Sequence, residues 1–295
     1  MVNKQLIKVG FCIAYDWYLL RYSLPLIYED ADMICLSVDK DRISWSGNPF
    51  SWDEPGFRQL VRELDPLHKI QVLEEDYHLP ELQPMENEVR QRNKIAAAMG
   101  EGGWHIQLDT DEFFINFKGF AQYLKQLKPR RQLNVVCPWI TLYKQNDEGF
   151  FYVKPARFDQ VEFMQIATLW PRYEYGRRNG YFNIHCDFAI LHLSWARPEQ
   201  EIWEKLNNWG HRNDFDIAEY FTKWKDLNAE NYREYRDFHH VVANTWPALG
   251  FIPAKNVAEL MVKAKQTELL PVSPRQISRK NSIWLSRLRK LFRIS

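Results

Sequence analysis

Two aspartates, Asp109 and Asp111, follow a short apolar run in the segment IQLDTDEFF at residues 106–114. Residues 104–108 are predicted to form a buried strand, so both carboxylates stand at its carboxyl end, the edge where open α/β sheets bind ligands. Alternate residues of an extended chain point the same way, which lets both carboxylates face one hard cation. Mg²⁺ and Mn²⁺ prefer such oxygen ligands and also bind substrate phosphates. The pattern predicts a divalent metal site; the alternative is that Asp-Thr-Asp caps the next helix or lies in a solvated turn.

The elements that must position this motif alternate between strand and helix. Short links join these elements, which is the signature of a parallel sheet. The second half of the chain is mixed and ends in a mostly helical pattern. The sequence therefore predicts an α/β fold, with a mostly parallel sheet flanked by helices and a helical C-terminal part. The predicted strands are 7–14, 33–38, 69–74, 104–108, 135–143, 150–153 and 188–195, and the predicted helices are 17–27, 51–64, 86–99 and most of 197–264.

Composition narrows the class of protein. A hydrophobic content of 45% supplies a core and excludes general disorder, and a net charge of +1 does not indicate a nucleic-acid binder. The four cysteines, at positions 12, 35, 137 and 186, show no CxxC spacing, so neither a structural zinc site nor a disulfide framework is expected. No apolar run approaches the ~18 residues that a membrane span needs. Residues 9–15 lead directly into Asp16 and are predicted to be a strand, not a signal peptide. A cytoplasmic protein is predicted.

Two segments of the chain resemble a known family. Residues 87–114, NEVRQRNKIAAAMGEGGWHIQLDTDEFF, resemble the "RN…lD-x-DEf" core of nucleotide-sugar glycosyltransferases with the GT-A fold, the large inverting family 2-like group. Residues 190–211, ILHLSWARPEQEIWEKLNNWGH, are similar to the "H-x-x-x-[RK]-S-x-E-E-[FY]-x-x-K" segment of a related glycosyltransferase group, with Pro198 where a Ser is usual. The resemblance spans roughly residues 7–211. Because the chain has no internal repeat and no low-complexity linker, a single GT-A domain of residues 1–270 is predicted, followed by a separate tail of residues 271–295.

The resemblance implies a metal-bound sugar donor. Asp111 would bind Mn²⁺ or Mg²⁺ directly, and Asp109 would reach the metal through water or contact the ribose hydroxyl. His192 would be a third metal ligand, since neutral imidazole suits Mn²⁺; the alternative is a core histidine with a backbone partner. The ion would act as a Lewis acid on the leaving diphosphate.

Other residues are implied contacts of the nucleotide. Arg92 and Asn93 lie on the helix before the metal strand, and the planar guanidinium of Arg92 suits a phosphate clamp. The alternative for Arg92 is an intrahelical salt bridge with Glu88. Asp39 ends the second strand, where this fold commonly places an acid for the base or the ribose; the alternative is a simple turn acid.

Fewer sequence features indicate the remaining diphosphate contacts and the base that would act on the acceptor. Arg197 and Lys205 are candidate diphosphate contacts, with a solvated helix face as the alternative. Inverting transfer needs a carboxylate to deprotonate the acceptor hydroxyl, and Asp187 is the first choice, with Glu162 and Glu174 as rivals. An enzyme that retains configuration would not need this base.

The resemblance thus implies transfer of a sugar from a nucleotide diphosphate sugar to a glycan or lipid-linked acceptor, in surface polysaccharide synthesis. A non-catalytic carbohydrate-binding protein is one alternative, since the chain has 12 Trp and flat aromatic faces suit sugar rings. Buried aromatic side chains explain most of that content equally well. A metal-dependent phosphotransferase with a nucleophilic Asp is a weaker alternative, because Phe113 stands where such enzymes usually have Thr or Val.

The tail combines positive charge with an apolar helical face. No acidic residue follows Glu268, and apolar side chains recur at helical spacing. A basic amphipathic helix suits an anionic membrane surface, so peripheral binding at the inner face of the cell membrane is predicted; the alternative is packing on its own domain or on a second copy. The basic residues are Arg275, Arg279, Lys280, Arg287, Arg289, Lys290 and Arg293, and the apolar face is Trp284, Leu285, Leu288, Leu291 and Phe292.

Overall fold

The computed structural model of the chain describes residues 6–208, 215–239, 242 and 245–282. In these ranges it contains eleven strands and eight α-helices. In chain order they are β1 (Ile7–Ile13), α1 (Leu20–Ile27), β2 (Met33–Asp39), α2 (Glu54–Leu64), β3 (Ile70–Glu75), α3 (Pro84–Ala98), β4 (Trp104–Asp109), β5 (Glu112–Phe114), α4 (Phe117–Gln126), β6 (Leu133–Asn146), β7 (Gly149–Val153), β8 (Phe163–Thr168), β9 (Phe182–His185), β10 (Ile190–His192), α5 (Glu199–Asn208), α6 (Ile217–Asp226), β11 (Leu249–Ile252), α7 (Val257–Ala264) and α8 (Pro274–Asn281).

The chain divides into two compact units. The first takes its described residues from Met1–Cys137, Phe163–Phe188 and Lys280–Ser295, and the second from Pro138–Glu162 and Ala189–Arg279. Strand β6 begins in the first unit and continues into the second. The prediction of one GT-A domain followed by a tail stays a prediction, since this division does not test it.

The sheet of the first unit is mixed and mostly parallel. Strand β1 pairs in parallel with β2 and β4, and β2 pairs in parallel with β3, whereas β8 is antiparallel to β4. Cys12 lies opposite Asp109, and Asp39 lies opposite Glu75, so the carboxyl ends of these strands meet at one edge. The prediction of an α/β fold, with a mostly parallel sheet flanked by helices, is confirmed.

Helix α3 lies against β1 and β2 and carries Arg92. Pro84 occupies its first turn, where no backbone N–H is needed, and the carboxylate of Glu86 accepts from the backbone N–H of Gln83. A Cβ atom at Gly10 would lie 2.3 Å from Cγ2 of Ile95. Because β1 has glycine there, the helix can approach the strand closely.

The second unit is built on an antiparallel hairpin and an aromatic core. The second half of β6 pairs with β7 on one side and in parallel with β10, and β11 adds to β7. Trp195, Trp224 and Trp246 are buried in its core, whereas Trp203 is 39% exposed and position 209 lies outside the described residues. Burial therefore accounts for three of the six tryptophans at positions 170–246.

Several elements differ from the sequence-based expectation. The strand predicted at 188–195 is reduced to β10, and β11 interrupts the predominantly helical C-terminal part. Helix α2 begins at Glu54 and not at residue 51, because the side chain of Asp53 accepts from the N–H of Gly56 and caps it. The amphipathic face predicted at 284–292 lies outside the described residues. Among the described helices, none is long and apolar enough to cross a membrane.

Candidate functional site at the carboxyl end of β4

The aspartate motif forms a buried turn between two strands. Strand β4 ends at Asp109, Thr110 and Asp111 make the turn, and β5 begins at Glu112. Thr110 and Asp111 are only 1% and 6% exposed, so the alternative of a solvated turn is wrong. The helix-cap alternative is also wrong, because Asn116 caps α4.

The expectation of an extended chain through the motif is wrong as well. The carboxylate of Glu112 accepts from the backbone N–H of Asp109 at 3.0 Å and closes the turn. Asp109 and Asp111 therefore do not project from one side of a continuous strand, and alternation along a strand does not bring their carboxylates together.

Two arginines hold Asp109 from opposite oxygens. Nη2 of Arg92 donates to Oδ1 at 2.9 Å, and Nη2 of Arg177 donates to Oδ2 at 2.8 Å. Arg177 also donates to both carboxylate oxygens of Glu112 at 2.8 Å, and Arg92 donates through Nε to Glu88 at 2.8 Å. The salt bridge between Arg92 and Glu88 that the sequence left open is thus present, together with the contact to Asp109.

A tight turn delivers Arg177 to this network. Residues Tyr175 and Arg178 pair across the turn, and Gly176 adopts φ +56° at its tip. A Cβ atom at Gly176 would lie 3.1 Å from Oε1 of Glu88. Sequence reasoning missed Arg177, because it follows no motif and lies 68 residues after Asp109 along the chain.

Asn93 anchors the segment that leads into this turn. Its Oδ1 accepts from the backbone N–H of Tyr173 at 3.0 Å, and its Nδ2 donates to the carbonyls of Tyr173 and Val89. The adjacent pair Arg92 and Asn93 therefore acts on Asp109 in two ways. Arg92 contacts it directly, and Asn93 holds the backbone that carries the opposing arginine.

Burial and crowded charge set the titration of this cluster. Burial, reinforced by the charges of Asp109 and Asp111, raises the pKa of Glu112 to about 7, although Arg177 acts in the opposite direction. Burial alone would lower the pKa of Arg177, but the carboxylates of Glu112 and Asp109 raise it above its ordinary value. The guanidinium of Arg92 likewise keeps a pKa well above its ordinary value, since Asp109 and Glu88 outweigh the effect of burial. Both arginines therefore remain charged.

Asp39 ends β2 at the same edge but has different partners. Its Oδ1 accepts from the backbone N–H groups of Asp41 and Ile43 at 2.9 and 3.2 Å. Its Oδ2 accepts from those of Tyr77 and His78 at 2.9 and 3.3 Å. A carboxylate offers roughly four lone-pair sites, and this one organises the loops that follow β2 and β3. Direct contact with a nucleotide stays a prediction, and it would have to compete with these four donors.

The three candidates for the acceptor base occupy different environments. Asp187 is exposed in the segment between β9 and β10, and the ring of the adjacent Phe188 packs on Phe120 and Tyr123. Glu174 is exposed as well. Glu162 lies in the second unit, where its Oε1 accepts from the indole of Trp246 at 3.0 Å and burial raises its pKa.

The remaining candidates belong to the second unit. The ring of His192 stacks on Trp139, with centroids 4.0 Å apart. Arg197 donates to the carbonyl of Leu193 and pairs with Glu201 at 3.4 Å. Nζ of Lys205 donates to the carbonyl and the hydroxyl of Ser194, each at 2.8 Å. The predicted roles of His192, Arg197 and Lys205 in donor or metal binding stay predictions.

The donor set fits a metal that completes its coordination with substrate. Within the described ranges, no group of three or more His, Cys, Asp or Glu side chains is arranged to hold a metal ion. Mg²⁺ is usually bound through only one or two carboxylates, with substrate phosphates and waters filling the other positions. Asp111 could supply such a carboxylate, since the two oxygens of Asp109 are each engaged by an arginine.

Comparisons with known proteins add little. No protein-family model matches the chain, and no curated protein matches it. Among solved structures, the chain is similar to the crystal structure of 4-diphosphocytidyl-2C-methyl-D-erythritol synthase from Anaerococcus prevotii DSM 20548, at 14% identity, over 88% of this chain and 95% of that chain. The TM-score of 0.28 is too low for this likeness to carry an argument.

Proposed function

We propose that the chain is a metal-dependent glycosyltransferase that moves a sugar from a nucleotide diphosphate sugar to a glycan or lipid-linked acceptor. The observation that supports this most is the buried turn at the carboxyl end of β4, where Asp109, Asp111 and Glu112 crowd together beside two arginines. Ligands of open α/β sheets bind at this edge.

Charge within this cluster favours a bound cation. When all four are ionised, Glu88, Asp109, Asp111 and Glu112 carry four negative charges against the two positive charges of Arg92 and Arg177, which leaves two negative charges. Because the pKa of Glu112 is raised to about 7, protonation of this carboxyl lowers the excess to one negative charge. Buried charge is costly unless it is paired. A divalent ion would balance the excess, and Mn²⁺ or Mg²⁺ suits oxygen ligands of this type.

In this proposal the residues divide the work. Asp111 holds the ion, which when bound would act as a Lewis acid towards the diphosphate. Asp109 and Glu112 do not need to bind metal, because Arg92 and Arg177 fix their carboxylates and thereby fix the turn that presents Asp111. Nη1 of Arg92 is buried and donates to no acceptor among the described residues, so this group has a donor left for a phosphate oxygen.

The acceptor half of the reaction is assigned by chemistry. Asp187 is an exposed carboxylate, and a carboxylate is the type of group that takes a proton from an acceptor hydroxyl. An inverting reaction uses such a base, so the proposal is inverting transfer with Asp187 as the base.

The test is turnover of a panel of nucleotide sugars, with and without added Mn²⁺. We expect wild-type turnover to depend on Mn²⁺, and the variant Asp111→Asn to lose it while keeping its melting temperature, because the substitution preserves shape and removes charge. The exposed Asp41→Asn is the matched control and should retain activity. Wild-type turnover in Asp111→Asn would contradict the metal role, and turnover of no nucleotide sugar would contradict the proposed function.

A further inference from the structure

One loop of the first unit concentrates positive charge. Lys128, Arg130 and Arg131 stand within four residues between α4 and β6, and all three side chains are exposed. None of the three pairs with a carboxylate in the part of the chain that the structure describes. The whole protein carries a net charge of only +1, so this cluster is a local feature and not a reflection of overall composition.

Aromatic rings underlie this charge along strand β9. The guanidinium of Arg131 lies 3.7 Å from the ring centroid of Phe182, at the beginning of the strand. At its other end, the ring of Phe163 contacts His185, and Nζ of Lys280 lies 4.3 Å from the Phe163 centroid. Phe163 and Phe182 are half-buried. Cations over partly exposed aromatic rings suit the boundary between lipid headgroups and acyl chains.

The C-terminal segment starts from this surface. The backbone N–H of His185 donates to Oδ1 of Asn281, and Nδ2 of Asn281 donates back to the carbonyl of His185, both at 2.8 Å. These bonds hold the end of α8 beside β9. The sequence that follows adds four basic residues and no acidic one: Arg287, Arg289, Lys290 and Arg293.

We infer that the surface around β9, formed by Lys128, Arg130, Arg131 and Lys280 with Phe163 and Phe182, docks on an anionic lipid bilayer. Clusters of roughly four to eight basic residues bind anionic lipid headgroups, each residue near the surface contributing about 1 kcal/mol or less. Charge complementarity identifies the partner, and the aromatic rings favour a bilayer over a purely phosphate surface. This docking is independent of the sugar-transfer reaction and of the membrane contact predicted for the tail.

The test is sedimentation of the full chain with phosphatidylcholine vesicles and with vesicles in which roughly a third of the lipid is phosphatidylglycerol. The test variant combines Lys128→Gln, Arg130→Gln and Arg131→Gln. The control combines Arg21→Gln, Arg62→Gln and Lys154→Gln, which removes the same charge from exposed cations elsewhere. Both variants keep the tail, so the comparison isolates the loop.

We expect binding to the anionic vesicles alone, lowered by about tenfold in the test variant and little changed in the control. Equal loss in both variants, equal binding to both vesicle types, or no loss in the test variant would overturn the inference. Tighter binding to an RNA of unrelated sequence, lost in the same variant, would also overturn it in favour of a nucleic-acid surface. If the triple variant melts early, the single variant Arg130→Glu at an exposed position gives the same comparison.

Discussion

Strands β2 and β4 each end in an aspartate at the same edge of the first unit, yet the two carboxylates have different partners. Among the described residues, the carboxylate of Asp39 accepts from four backbone N–H groups, whereas the carboxylate of Asp109 is held by two guanidinium groups. Neutral amides satisfy an acid and fix the surrounding loops. Paired arginines instead allow further acids, here Asp111 and Glu112, to be buried beside it. The position of an aspartate at a strand end therefore shows that it lies at this edge of the sheet. The type of donor that its carboxylate accepts from then distinguishes an acid that organises loops from one that belongs to a cluster of buried charges.

The end of β4, where Arg92 and Arg177 hold Asp109, is called the charged end. The largest expected effect comes from removing one arginine of this network. Arg177→Met leaves Glu112 and Asp109 without their shared cation, and removing one partner of a buried pair costs about 3–5 kcal/mol. We expect that loss in the free energy of unfolding, measured by urea denaturation. Arg178→Met, at the exposed neighbouring position, is the control and should change stability by less than about 0.5 kcal/mol. Equal effects of the two variants would mean that the network contributes nothing specific.

The end of β2, where neutral backbone amides hold Asp39, is called the neutral end. The corresponding change there is Asp39→Ala. Four backbone N–H groups lose their acceptor, and each that stays buried and unsatisfied costs about 1–3 kcal/mol. Because the loops can relax towards water, we expect a total of about 2–3 kcal/mol, smaller than for Arg177→Met. Hydrogen exchange should accelerate at the amide of Tyr77, which is buried. Asp41→Ala controls for loss of charge, and unchanged exchange at Tyr77 in Asp39→Ala would contradict the assignment.

The pH dependence of stability gives a third way to distinguish the charged end from the neutral end. The pKa of Glu112 rises from 4.5 to about 7 on folding, so between these values the folded state binds more protons than the unfolded state. Stability from this group is therefore fully present below about pH 4.5, is lost as the pH rises to about 7, and is constant above that. We expect a contribution of about 3 kcal/mol, visible as the difference in pH dependence between wild type and Glu112→Gln. Parallel stability profiles for the two proteins would contradict it.

The smallest effect concerns the turn that carries Arg177. Gly176 adopts φ +56°, where a side chain is strained, so Gly176→Ala should cost about 1 kcal/mol. Gly180→Ala is the matched control, because a Cβ atom there meets nothing within 4 Å. Equal melting temperatures for the two variants would show that the turn geometry does not support the network.

Sequence patterns predicted one arginine of the network around Asp109, Arg92, and missed the other, Arg177, for physical reasons. Strand β4 and its terminal acids follow from local patterns, since an apolar run and its end lie within a few residues. The pair of Arg92 with Glu88 follows from helical spacing. Arg177 could not be found this way, because only the folded sheet brings a residue of an irregular turn to Asp109.

The same limit applies at other positions. The four amides on Asp39 come from two loops that are distant in sequence, so its saturation could not be predicted. Strand β11 is only four residues long within a mostly helical region, and it forms because β7 offers an edge. Local periodicity is too weak a signal for such a short strand.

The most direct test of the charged end as a metal and donor site is calorimetric titration with a nucleoside diphosphate, with and without Mn²⁺. The account predicts that Mn²⁺ tightens binding to wild type and to Asp41→Asn by about tenfold or more, equivalent to about 1.4 kcal/mol. It predicts no such gain for Asp111→Asn. A gain from Mn²⁺ that is equal in wild type and Asp111→Asn would contradict the assignment of Asp111 as the metal ligand.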